Sequence, residues 1–598
     1  MKTANQILQT WLEQFTGQLA QGDYPAAGTL FEEGCYWRDL VAFSWNIITA
    51  EGRADVVTML AATVPAAQPS GWVLDREASE QDGVVEGWFR FETAVSRGRG
   101  HLRLRDGQCW TLFTTMTELK GFEEKSGRRR EQGTQHGAHR NRQSWLERKT
   151  AEEAALGSTK QPYCLIVGGG QGGIALGARL KRLEVPTLIV DQHERPGDAW
   201  RKRYKSLCLH DPVWYDHMPY IPFPDHWPVY SPKDKIGDWL EMYTKVMELN
   251  YWTSTRCQQA SYDETTETWT VVVERAGEQI TLHPKQLVLA TGMSGKPSIP
   301  AIPGMDQFSG TLCHSSRYSS GQEYRGQRCV VVGSGNSAHD ICADLWEHGA
   351  DVTMIQRSST LVVRAETLAM FGHRGLYSER AVEAGIDAET ADRVNASWPY
   401  ALQPARAVPA YQKMAELDAE LYAGLEKAGF LLDFGEDGSG LAVKYHRRGS
   451  GYYIDVGASQ LIVDGEIKLK SGVEIERITE TGLLMADGTE LTADLIIFAT
   501  GYGSMNGWAA QLISQEVADK VGKCWGLGSN TKYDPAPWLG ELRNMWKPTQ
   551  QHGLWFHGGN LAQSRFYSLS LGLQIKARLE GVVEETAVYH RAKTHHLA

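Results

Sequence analysis

Two stretches of the chain join an apolar strand to a glycine turn and then to a helical run: LIVGGGQGGI at 165–174 and VVVGSGNSAH at 330–339. That order builds a seat for a dinucleotide pyrophosphate. The first glycine, Gly168 or Gly333, permits the tight turn out of the strand. The second, Gly170 or Gly335, lets the backbone approach the phosphates. The third small residue, Gly173 or Ala338, lets the helix pack close to the strand. The helix start then offers free N–H groups and a positive dipole end. Gln171 in the first copy, and Ser334, Asn336 and Ser337 in the second, stand at these turns and are cofactor-binding candidates. Asn336 also reads as the N-cap of the second helix.

The residues after the second strand of each unit separate the two ligands. TLIVD ends in Asp191, followed by Gln192. A carboxylate there can accept both ribose hydroxyls and repels a 2′-phosphate, which suits FAD. The second unit ends in Gln356, Arg357 and Ser358. The Arg357 guanidinium and the Ser358 hydroxyl suit a 2′-phosphate, and hence NADPH. The plainer alternative for Arg357 is a surface arginine. Gln356 can hydrogen-bond an unphosphorylated ribose, so NADH is also acceptable in this reading.

FSGTLCHSSRY at 308–318 matches F-x-G-x-x-x-H-x-x-x-(Y/F) through Phe308, Gly310, His314 and Tyr318. That pattern resembles the fingerprint of class B flavin-containing monooxygenases. Tyr318 favours this branch over the Baeyer–Villiger branch, which usually ends the motif in Trp. LVLATG (Ala290, Thr291, Gly292) and LIIFATGY (Ala499, Thr500, Gly501, Tyr502) resemble the family's two passages between flavin and nicotinamide domains. GDAWRKRYKSLCLHDP, with Trp200, Leu207 and His210, is similar to the segment lying along the flavin. WFHGGNLAQSRFYSLSLGLQIKA at 555–577, with Asn560, resembles the loop and helix that close that site. The resemblance spans about residues 160–590.

The resemblance implies tightly bound FAD, NAD(P)H as reductant and O2 as co-substrate. One oxygen atom would pass through a C4a-(hydro)peroxyflavin to a sulfide, an amine or, in Baeyer–Villiger fashion, a ketone. An NAD(P)H oxidase that releases hydrogen peroxide is the alternative. His210 stands where many members carry Asn, and with Asn336 it is the catalytic candidate for holding nicotinamide and oxygenated flavin. A loop histidine bonded to backbone is the plainer reading of His210. His314 is expected to couple the two domains, and Cys208 and Cys313 to be small buried residues.

The elements that must position these residues follow from pattern. Residues 1–120 read as a small α+β domain: helical pattern over 4–34, then alternating strands with Asp106-Gly107 as a hairpin turn. Its order resembles the cone-shaped SnoaL-like superfamily, and the extension resembles the type II branch of the monooxygenases, which tolerates NADH. Such a domain could bind, dimerise or catalyse, with Asp39 as a candidate base. Residues 121–160 read as a linker with a helical second half. The first part of an FAD-binding domain is expected at 161–320. An NAD(P)-binding domain with a helical insertion at 375–430 follows at 321–495, and the rest of the FAD-binding domain at 496–598. The expected fold class is α/β: two Rossmann-like domains preceded by an α+β cone.

Composition narrows the function classes. A net charge of −11 over 598 residues argues against a general nucleic-acid binder. The nine cysteines include no C-x-x-C pair, which argues against a disulfide relay or a zinc site. The N-terminus reads as an amphipathic helix rather than a signal peptide, and no run of about 18 apolar residues occurs. A cytoplasmic homodimer acting on a small molecule, without metal or membrane, is expected.

Overall fold

The computed structural model describes residues 3–134, 136–373, 375–535, 538–584 and 587–590; the last part of the polar C-terminal run, from 591, lies outside them. The first helix, Ala4–Gln21, opens with a Thr3–Gln6 capping box and buries Leu8, Trp11, Leu12, Phe15 and Leu19, one apolar stripe at helical spacing. Gly22, left-handed at φ 72°, ends it. The helical pattern expected to reach residue 34 stops at the short helix Tyr24–Gly28, and the strand Phe31–Leu40 begins. Pairing of Phe31 with Cys109 and of Tyr36–Leu40 with Thr111–Thr115 overrides the local helical spacing.

A seven-stranded sheet follows in the order Ile47–Glu51, Phe31–Leu40, Gln108–Leu119, Ser96–Arg105, Val84–Glu92, Ser70–Leu74, with Ser79–Gln81 also on Val84–Glu92. Asp106 and Gly107 have φ 47° and 80° and join Arg105 to its partner Gln108, as a two-residue primed turn requires. Phe43, Trp72, Phe89 and Phe91 stack inside, with Phe15 edge-on from the helix. At Gly100 a Cβ would stand 2.1 Å from the Phe89 ring, so the missing side chain is what lets the ring cross the strand. Asp39 is fully buried and accepts from Phe43 N, Ser44 N, Ser44 Oγ and Thr114 Oγ1 at 2.6–3.0 Å. Burial raises its pKa against the pull of those bonds. Asp39 thus organises a turn and faces no opening, which argues against its use as a base.

Two parallel sheets carry the glycine turns. One has the order Tyr251–Trp252, Thr187–Val190, Cys164–Val167, Gln286–Leu289, Leu554–Phe556. The other runs Thr311–His314, Leu495–Phe498, Arg328–Val332, Asp351–Gln356, Lys468–Ser471. The central strands CLIV, TLIV and LIIF are buried at every position, as covering a parallel sheet on both faces demands. Helices Gln171–Arg182 and Asn336–Glu347 make the first crossover of each sheet. This is the expected α/β architecture with Rossmann-like units. The two passages between the sheets are tied to each other: Ser298 N donates to Gly501 O at 3.0 Å and Thr500 Oγ1 to Ser298 O.

Strands Leu361–Arg364 and Tyr452–Asp455 pair in parallel. Between them lie helices Glu379–Glu383, Ala388–Ala396, Gln403–Leu417, Ala419–Lys427 and Gly440–Arg448. The long helix Leu561–Leu579 is buried on almost every side. No described helix is long and apolar enough to cross a membrane. All nine cysteines are free. Cys208, in the loop before Ser231, is exposed and Cys313, on the edge strand Thr311–His314, is half-buried; the expectation of burial is corrected.

Replacing Asp39 by Ala strands three buried donors, Phe43 N, Ser44 N and Thr114 Oγ1, while Ser44 Oγ keeps Asn46 O as acceptor. It is expected to lower unfolding stability by about 2–4 kcal/mol in chemical denaturation, while turnover per folded molecule stays within about twofold.

Candidate active site

At the first turn a Cβ on Gly168 (φ 107°) would lie 2.4 Å from Ala290 O, and one on Gly173 2.0 Å from Gly168 O. Only glycine permits this approach of strand, turn and helix. A Cβ on Gly170 would meet nothing within 4 Å. The second turn repeats the pattern. Gly333 (φ 129°) would collide with Ala499 O at 2.3 Å, whereas Gly335 meets only Tyr452 O at 3.5 Å. Neither helix start has a capping side chain, so the first N–H groups of each face open space. Thr291 Oγ1 and Tyr502 Oη, one at each passage, are buried without a hydrogen-bond partner among the described residues. Bare backbone donors, an open cradle and unmatched hydroxyls fit a dinucleotide at each turn.

The predicted cofactor residues fall into two groups. Asp191 accepts from Gly169 N at 2.7 Å, and from His193 N and Nδ1 at 2.8 and 2.7 Å. Burial alone would raise its pKa, but these bonds hold it below the ordinary value. With three of about four acceptor directions in use, it has room for one ribose hydroxyl, not two. Gln192 is exposed beside it. Gln171 accepts from Trp200 Nε1 and donates to Gly559 O, linking the first turn, the flavin loop and the approach to the last helix. Gly292 and Gly501, both at φ 82°, turn the chain out of the two passages.

At the second seat Arg357 and Ser358 are exposed just past the strand end. Ser334 Oγ shares a hydrogen bond with Thr360 Oγ1, and Ser337 lies against the Tyr204 hydroxyl. Two expectations are corrected here. Gln356 is fully buried, and its amide both donates to Leu431 O and accepts from Leu431 N, so it is committed to the chain and not to a ribose. Asn336 is not the N-cap, a position held by Gly335. Its Oδ1 accepts from Ile454 N at 2.9 Å, which fastens the helix start to the strand Tyr452–Asp455 and leaves only its amide N–H groups for a ligand.

His210 sits on a loop pinned from several sides. Lys205 N donates to Ser319 O and Leu209 N to Ser231 O. Leu207 packs against the core of the second sheet. Tyr204 Oη donates to Asp340 Oδ2 on the second nucleotide helix at 2.7 Å. Burial raises the Asp340 pKa, against the pull of Tyr204 and His210. His210 Nε2 lies 4.0 Å from Asp211 Oδ2. His314 Nε2 donates to Gly501 O at 3.1 Å while its Nδ1 accepts from Ser316 N. It joins the fingerprint to the second passage and is not among the residues lining the aromatic cavity.

His210 and Asn560 line one cavity of about 360 Å³. Seven tyrosines and two phenylalanines share its wall, a lining that stacks flat rings. Asn560 caps the last helix, accepting from Gln563 N, and donates to Tyr215 Oη at 3.2 Å. Gln563 in turn accepts from Tyr445 Oη at 3.0 Å. Other wall residues come from the helices between 388 and 448 and, through Arg38, from the N-terminal domain. Sequence reading missed Tyr215, Tyr445, Gln563 and Arg38. The aromatic spacing in the segment 205–217 was a usable signal for Tyr215; nothing local marks Arg38.

Residues 165–369 match the family model described as pyridine nucleotide-disulphide oxidoreductase. The chain is 30% identical over 381 residues to an indole-3-pyruvate monooxygenase, YUCCA1, of Oryza sativa subsp. japonica, covering 63% of this chain and 86% of that protein. It is 32% identical over 345 residues to a probable indole-3-pyruvate monooxygenase, YUCCA1, of Arabidopsis thaliana, covering 57% and 75%. The fold is similar to that of an open crystal structure of cyclohexanone monooxygenase, with a TM-score of 0.50 at 17% identity over 71% of this chain and 90% of that one.

Gly170→Ala tests the open cradle. Its φ of −75° admits alanine, so melting should show a stability change within about 0.5 kcal/mol. Flavin absorbance per chain is expected to fall severalfold.

Proposed function

The chain belongs to the flavin-dependent monooxygenase family that includes those indole-3-pyruvate monooxygenases, and from that premise we propose that it transfers one oxygen atom of O2 to a small sulfide, amine or ketone. In this reading FAD occupies the turn at Gly168–Gly173 and NADPH the turn at Gly333–Ala338. The observation that carries the reading is the aromatic cavity reached by both His210 and Asn560, because Gln171 of the first turn bonds to Gly559, next to Asn560. The oxidising site and the substrate site then share a wall.

A flavin held at the first turn would supply the redox chemistry between a nicotinamide at the second turn and O2. The chain supplies orientation and exclusion of water. Gly170 and Gly335 leave backbone N–H groups to bind phosphate. Arg357, free of any ion-pair partner among the described residues, and Ser358 take the 2′-phosphate. Thr291 Oγ1 and Tyr502 Oη supply hydrogen bonds at the passages. His210 offers a ring N–H at the cavity's flavin end, with Asp211 and Asp340 as the carboxylates nearest it. The aromatic wall keeps water from the reacting atoms, and no side-chain nucleophile is required.

The N-terminal domain is read as a SnoaL-like cone of the type II kind. Cytoplasmic placement and a homodimeric assembly belong to the same proposal; the free cysteines are in keeping with a reducing compartment.

Substrate-dependent NADPH consumption over a panel of one aryl sulfide, one amine, one cyclic ketone and one indole keto acid, with product identification, tests the reading. A stoichiometric oxygenated product from any one supports it; hydrogen peroxide alone from all four would overturn it in favour of an oxidase. Arg357→Ala is expected to raise KM for NADPH roughly 10–100-fold and KM for NADH less than threefold. His210→Ala is expected to raise the share of NADPH oxidised without product severalfold, read from peroxide yield.

A further inference from the structure

The cavity has a second polar end. Tyr567 lies seven residues after Asn560 on the same helix, so the two share a face about 10 Å apart, with Gln563 between them. All three line the cavity. At the Tyr567 end the N-terminal domain inserts Arg38, fully buried on its strand. Arg38 Nη2 donates to Tyr567 Oη at 3.1 Å, and its guanidinium lies 4.9 Å from the Tyr400 ring centre. Its charge is already matched: Nε and Nη2 donate to Glu541 at 2.8 and 3.2 Å, and Nη1 to Ala396 O.

The hydrogen-bond count at this end does not close. Tyr400 Oη and Tyr567 Oη are 3.3 Å apart, so one phenolic proton lies between them. Tyr567 also accepts from Arg38. The second phenolic proton has no acceptor among the described residues. Gln403, one turn from Tyr400 and lining the same cavity, carries a buried Oε1 with no donor. His446 is kept neutral beside them, with its pKa pushed down to about 4 by burial and by Arg38. An unmatched donor and an unmatched acceptor, beside an Arg38 already paired to Glu541 and with Arg406 of the same wall stacked over the Trp398 ring, call for a group that both accepts and donates.

We propose that Tyr400, Tyr567 and Gln403, held in place by Arg38, form a recognition subsite for a neutral hydroxyl on the end of an aromatic substrate remote from the atom that is oxidised. A flat substrate about two fused rings long spans the distance from this subsite to Asn560. Arg38 is a positioning residue here, and through it the N-terminal domain sets substrate choice. The assignment of the oxidised end rests on the monooxygenase reading; the subsite itself does not.

Methyl 2-naphthyl sulfide and its 6-hydroxy and 6-carboxy forms are the probes, titrated calorimetrically into the flavin-loaded full-length protein. The 6-hydroxy form is expected to bind about 5–10-fold more tightly than the parent. That advantage should shrink to within about twofold in Tyr400→Phe/Tyr567→Phe, and partly in each single variant. Equal binding by the wild type, no binding of any probe, an advantage that survives the double substitution, or a carboxy form at least as tight as the hydroxy form would each overturn the subsite. Sulfoxide formation is read separately. A hydroxyl preference without sulfoxide would strike sulfides from the monooxygenase reading and leave the subsite standing.

Discussion

Peptide N–H groups with nothing covering them are the constraint around which the molecule is arranged. At Gly170 and Gly335 the backbone is bare and the helix start has no capping side chain. Such groups are costly unless a ligand or water meets them. The neighbouring glycines, Gly168, Gly173 and Gly333, sit so close to backbone carbonyls that no larger residue fits. The open position and the crowded positions alternate within a few residues. The rest of the fold keeps the two turns in fixed relation: Ser298 to Gly501 and Tyr204 to Asp340 cross between the two units, while His314 to Gly501 stays within the second sheet's side and does not couple the two.

The cavity wall is held by buried charge as much as by apolar packing. Arg565 of the last helix forms two bonds of 2.8 Å to Asp392 and two of 2.7 Å to the carbonyls of Tyr215 and His217. That one side chain joins the last helix, the inserted helices and the loop after His210. Burial would lower its pKa, but Asp392 outweighs the effect and keeps it charged. Breaking such a pair from one side costs about 3–5 kcal/mol, so the aromatic wall cannot drift without a large penalty. A rigid wall suits a reaction whose yield depends on keeping water out.

The two nucleotide seats were legible because each is built from consecutive residues. Strand, glycine turn and helix sit within ten positions, and steric rules at glycine translate directly into geometry. The same holds for the Asp106-Gly107 hairpin and for the apolar strands. What sequence could not give were bonds between distant residues. Gln356 looked available for a ribose until Leu431, 75 positions later, took its amide. Asn336 looked like a cap until Ile454 claimed its carbonyl. The helical reading of residues 31–34 failed for a similar reason, since pairing with Gln108–Leu119 outweighed local spacing. Cavity residues such as Arg38 carry no local signature, because their role exists only once chain segments hundreds of positions apart have met.

That separation has a consequence for biogenesis. Arg38 leaves the ribosome well before its carboxylate partner Glu541, which follows 503 positions later. At translation speeds of about 5–20 residues per second, the nascent N-terminal segment waits roughly 25–100 s before that carboxylate is made. The Arg38 end of the cavity therefore closes only once Glu541 and Tyr567 have been made, and products that stop before them carry both glycine turns without that end of the wall.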